Sequence, residues 1–247
     1  MRVLNLALDL FVNPIAVWAG LAPNRLPDDR FRVWDPDLVR RFLEERCGLR
    51  VDAPVEGTVV DSHEGALAVW REWIERGELK TPFDLVHMDA HSSLGGGDEG
   101  WFYVLTELLA LPPTKRLEHA DFVRVMPENY LLFAAAFGWI REMTFVAHHT
   151  WSPDVLDLLY EERGADGSGT IRLGRYDRLL LGPALEMGTD LPSPLAMDPP
   201  FALRVLGPGD YQERGPFDRI VVSRSPSYTP PGADTLLPTI EDYLDFV

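Results

Sequence analysis

The chain is short of cysteine, of positive charge and of long apolar runs, and each shortage removes a class of function. A single cysteine, Cys47, among 247 residues leaves no internal disulfide. That suits a reducing compartment and predicts a cytoplasmic location. Cys47 ends a helical pattern at 38–47 with no histidine near it in sequence, so it reads as a packing residue rather than a nucleophile. Lys and Arg total 23 against 39 Asp and Glu, a formal net charge of -16. No basic face emerges, which excludes a duplex nucleic-acid binder and disfavours anionic membranes. Cationic partners suit it better. The apolar run at 3–12 meets Asp9 and then Pro14. It is too short to span a bilayer, has no small-residue cleavage site, and reads as a buried strand. A phosphate loop, a nucleotide-binding glycine pattern and a nucleophile elbow are also lacking.

What is present is a hydrophobic content of 46%, enough for a sizeable core, and an alternation of strand and helix patterns. Strands are expected at 3–12, 58–60, 83–88, 122–125, 144–147, 171–173, 203–206 and 219–222. Helices are expected from Asp35-Pro36-Asp37 to Gly48, and at 64–76, 101–110, 129–141 and 234–246. Residues 164–215 read as loop-rich. With no repeat and no linker, residues 1–247 form one domain, expected to be an α/β three-layer sandwich (α/β/α) around a mainly parallel sheet. Ligands in such folds sit at the carboxyl ends of the strands.

The candidate chemistry lies at those ends. His87, Asp89 and His91 alternate at the close of a strand and so share one face. A carboxylate and an imidazole two residues apart can hold a divalent cation. Asp9 is a carboxylate inside an apolar run, costly unless paired or coordinated, and a natural third ligand. Asp61-Ser62-His63 follows another strand, offering either a helix cap or a ligand or base. His148-His149 follows a third. Adjacent residues on a strand face opposite ways, so at most one of the pair should point into a site, and His149 is carried forward as a catalytic candidate. Ser225 and Tyr228, in the rigid stretch 223–231, suit a substrate wall. Asp98 and Glu99, beside a glycine loop, could attract a cation.

Taken together, several stretches resemble uncharacterised bacterial proteins with the arginase–deacetylase fold, among them the peptide arginases that convert peptidyl arginine to ornithine. The stretches are Val59-Val60-Asp61-Ser62-His63-Glu64, 82–91, 97–101, Asn129-Tyr130-Leu131 with Trp139-Ile140, 225–230, and the N-terminal 4–11. The resemblance implies a metal-dependent hydrolase of C–N bonds acting on an arginine-containing peptide. Its cofactor would be manganese, one or two ions, with zinc as the alternative. It also implies Asp9, His63, Asp89 and His91 as ligands, and His63 as ligand or general base. Two carboxylates expected of a two-metal site are missing, because Ala7 and Ser93 stand in their places, and Asn5 replaces a third acid. The set that remains, Asp9, Asp89 and His91, is that of the mononuclear zinc deacetylases of the same fold. The alternatives are therefore a zinc amidase or a non-catalytic peptide-binding relative.

Overall fold

The computed structural model describes residues 1–16, 25–95 and 99–246. In chain order the first half contains β1 (Arg2–Ala7), β2 (Val12–Asn13), β3 (Arg32–Val33), α1 (Pro36–Glu45), β4 (Val55–Val60), α2 (Gly65–Glu75), β5 (Phe83–Asp89), α3 (Gly100–Thr106), α4 (Pro113–His119) and α5 (Tyr130–Ala136). The second half contains β6 (Ile140–Ala147), β7 (Tyr160–Arg163), β8 (Gly169–Ile171), β9 (Gly174–Arg175), α6 (Arg178–Met187), β10 (Ala196–Met197), β11 (Phe201–Leu206), β12 (Arg219–Ser223), α7 (Leu237–Glu241) and β13 (Leu244–Phe246).

The main sheet has nine strands in the order β13-β4-β12-β1-β5-β6-β11-β8-β7. Neighbours from β13 to β11 pair in parallel, while β8 and β7 run antiparallel at one edge. Helices cover both faces, so the protein is an α/β sandwich of three layers. Side chains of β1 alternate between the two cores, as the pleat requires. Val3 joins Phe83 and Leu85 against Trp70 of α2, Val104 of α3 and Phe133 of α5. Leu4 and Leu6 join Val86 and Met88 against Val39 and Leu43 of α1 and Ile240 of α7. Burial on both faces explains why these strands are apolar throughout, and each fully buried Leu or Phe stabilises by roughly 1.5–3 kcal/mol. Cys47 is buried in the second core, its Sγ 3.9 Å from Met88 Sδ, as a packing residue would be. Among the described residues, no helix is long and apolar enough to cross a membrane.

The helix opened by Asp35 forms as expected. The Asp35 side chain accepts from Asp37 N at 2.8 Å, and Pro36 occupies the first turn, where no N–H is needed. Other elements differ from the sequence reading. The N-terminal strand stops at Ala7, and Leu8–Phe11 turns into a 3-10 helix whose four residues are all buried. The strand expected at 122–125 is a 3-10 turn, Phe122–Arg124, capped by Asp121. Helix α5 stops at Ala136, because Gly138 takes a left-handed φ of 74° before β6 begins. The closing helix is broken into a 3-10 turn (Pro231–Leu236), the short α7, and β13, which pairs in parallel with β4. Within the loop-rich region lies α6, capped by Asp177 and ended by Gly188 at φ 61°. Its internal Pro183 hides it from a propensity reading.

Candidate metal centre

Parallel pairing aligns the strand ends. Ser223 is level with Val60 on one side and Ala7 on the other, and Asp89 is level with Ala147. The residues just past β4, β12, β1, β5 and β6 therefore gather at one sheet edge. These are His63, Ser225, Asp9, the pair Asp89 and His91, and His148. The 3-10 turn after β1 carries Asp9 to this edge, where it is buried.

Asp9, Asp89 and His91 offer ligand atoms that all lie within 4.8 Å of one another. His91 Nδ1 stands 3.7 Å from Asp9 Oδ2 and 4.0 Å from Asp89 Oδ1. On the other side of the carboxylates, His63 Nε2 stands 3.0 Å from Asp89 Oδ2 and 3.4 Å from Asp9 Oδ2. Asp89 Oδ1 accepts the N–H of His91 at 2.9 Å. Among the described residues, no donor is aligned on Asp89 Oδ2 or on either oxygen of Asp9. Buried carboxylate oxygens left in this way cost several kcal/mol. A divalent cation among them removes that cost, and two oxygens with one imidazole nitrogen suit manganese or zinc.

The electrostatics follow from burial and pairing. Burial alone would raise the Asp9 carboxyl, but the neighbouring His63 and His91 outweigh it and hold Asp9 well below the usual carboxylate range. Burial opposes charge on His63 too, yet Asp89 and Asp9 prevail and raise it well above an ordinary histidine. His91 is raised in the same way, by Asp9, Asp89 and Asp154 against its burial. His87 behaves oppositely. Burial dominates and lowers it, with Asp89 offsetting only part.

Of the residues singled out from sequence, Asp9, His63, Asp89 and His91 come together. Ser225 joins them, its Oγ 3.0 Å from His63 Nε2 and 3.1 Å from Nδ1. Tyr228 forms a wall. Its ring lies 5.6 Å from that of His63 and 5.4 Å from that of His91, and its hydroxyl donates to Glu128. His149 does not join them: it is exposed, and the buried partner is His148. The reason is the turn after β6. His148 N donates to Asp89 O, and Trp151 N donates back to His148 O at 2.8 Å, which fixes the first ring inward. Glu99 is exposed at the start of α3, and Asp98 lies outside the described residues.

Three features escaped sequence reasoning. Asp154 accepts Ser92 N at 3.0 Å and Trp151 Nε1 at 3.1 Å, bracing the backbone just after His91. The signal for it was an acid close behind the His148-His149 strand end. Glu128 anchors Tyr228 and has no local signature. Asn5 lies level with His87 and its Nδ2 donates to His87 Nδ1 at 3.0 Å and to Tyr130 Oη at 2.5 Å. His87 in turn donates from Nε2 to the carbonyl of His91 at 3.0 Å. Comparison with family models, with curated proteins and with solved structures finds no match for the chain.

Proposed function

We propose that this chain is a metal-dependent hydrolase of C–N bonds that converts arginine in a peptide to ornithine, with manganese as its cofactor. The observation that carries the reading is the gathering of the buried carboxylates of Asp9 and Asp89 with His91, their ligand atoms all within 4.8 Å of one another. The substrate rests on the resemblance to peptide arginases, and the net charge of -16 suits a cationic peptide.

Asp9, Asp89 and His91 hold the cation. When bound, it supplies Lewis-acid activation of water and stabilises developing negative charge. His63 is buried against both carboxylates and beside Ser225. It is the group placed to carry a proton toward the departing nitrogen. Tyr228 closes one side and limits water. Hydrolysis adds water across the C–N bond: the guanidinium carbon takes the oxygen and leaves as urea, and the side-chain nitrogen takes the proton.

The test is incubation with manganese and an arginine-containing peptide, with mass spectrometry reading ornithine. Conversion lost in Asp89→Asn supports the reading, and no conversion by manganese-loaded protein counts against it. The ligand set of two aspartates and one histidine favours a second reading, a zinc amidase. An acetyl-lysine peptide in the same assay distinguishes the two.

A further inference from the structure

The functional reading leaves open how many ions the centre takes, and the residues around Asp9 and Asp89 bear on this directly. A two-metal site holds its ions about 3.5–4 Å apart. Two dications at that separation repel strongly, the more so out of water. Surplus carboxylates normally offset the repulsion. Here the ligand group contains two, Asp9 and Asp89. One dication balances them, whereas two leave a net charge of +2 in a buried place, which is strongly disfavoured.

Positions 5, 7 and 93 bring no further charge. Ala7 is buried and has no donor atom. Ser93 is buried, held at φ 53°, and its hydroxyl is hydrogen-bonded to the phenol of Tyr130. Asn5 spends its amide nitrogen on His87 and Tyr130. The atoms left over, Asn5 Oδ1 and Ser223 Oγ, are buried and uncharged. Asn5, His87, Tyr130 and Ser93 thus form one neutral, hydrogen-bonded cluster of residues beside the carboxylates.

We propose that the centre takes a single divalent cation, because its two carboxylates are bordered by the neutral cluster Asn5–His87–Tyr130–Ser93 and by Ala7, which add no anionic ligand. The proposal rests on the metal-centre reading above and deepens it.

The test is a titration of the metal-free full chain with manganese. Elemental analysis gives the ions retained, and electron paramagnetic resonance shows whether they are coupled. The expected result is one ion per chain with an isolated six-line signal, and two ions with a coupled signal in the Ala7→Asp/Ser93→Asp variant. Two coupled ions in the native chain overturn the proposal while leaving the hydrolase reading intact. No ion in the native chain overturns both. A folded variant that still holds one ion overturns the argument that the missing carboxylates set the number. The native-chain measurement decides the matter alone if the variant does not fold.

Discussion

His63 Nε2 stands 3.0 Å from Asp89 Oδ2, both side chains almost wholly buried, with the carboxylate on β5 and the imidazole just past β4, three places away across β12 and β1. This contact joins the proposed ligand set to the proposed proton carrier. Asp89→Asn removes one charge from the centre and leaves His63 facing a neutral amide. Metal affinity is expected to fall by at least ~100-fold, since even outer-shell partners are worth 10–100-fold. Isothermal titration of the metal-free variant reads the loss directly, and an unchanged affinity would remove Asp89 from the ligand set.

Asp154 acts one step further out. It grips Ser92 N at 3.0 Å and Trp151 Nε1 at 3.1 Å, and so fixes the turn that carries His91. Asp154→Ala is expected to weaken metal binding by roughly 10–100-fold without unfolding the chain. Asp154→Asn, which keeps one acceptor oxygen, should recover part of that affinity. Equal losses in the two variants would point to the charge rather than the grip.

How much of this was legible in the sequence depends on the range of the forces involved. Asp89 and His91 could be read because a strand alternates its side chains, and that rule needs no distant residue. Asp9 was drawn to the site from sequence but set on a strand, since Leu8-Asp9-Leu10-Phe11 has a strand-like apolar pattern and folds as a 3-10 turn only against the rest of the core. The choice between His148 and His149 depended on a backbone contact with Asp89, 59 positions away in sequence. The Asn5–Tyr130 bond joins residues 125 apart, and no local pattern announces it. The broad fold was easier, because apolar strands covered on both faces by helices leave a composition signal in every segment.

His148 supplies a pH dependence. Its Nδ1 accepts Thr150 N at 3.1 Å, and its Nε2 is buried. Burial, then the charge of His149, lowers it from 6.5 to about 4. The folded chain keeps this ring neutral where the unfolded chain takes up a proton. The stability it contributes is therefore complete above about pH 6.5 and is lost as pH falls toward 4, on the order of 2 kcal/mol. Denaturant midpoints at intervals between pH 7 and 4.5 should show the loss, and His148→Gln should flatten it. The same slope in both proteins would assign it to other groups.

Away from the site, Arg116 ties three segments together. Its guanidinium donates to Leu111 O at 3.0 Å, Ala136 O at 2.8 Å and both oxygens of Asp198. Arg116→Met leaves Asp198 without its counter-charge and two carbonyls without a donor. A cost of about 3–5 kcal/mol is expected in chemical denaturation. Metal affinity of the folded variant should not change, because none of these groups touches the strand ends that carry Asp9 or Asp89.

The claim on which the rest depends is that Asp9, Asp89 and His91 hold a divalent cation. The most direct test is chemical unfolding of the metal-free chain with and without manganese. A cation bound only by the folded chain stabilises it by about 2.7 kcal/mol at a hundred times its dissociation constant. The account predicts a shift of that order in the native chain and none in Asp9→Asn. An unfolding midpoint that ignores manganese and zinc alike, or one that rises equally in Asp9→Asn, would contradict it.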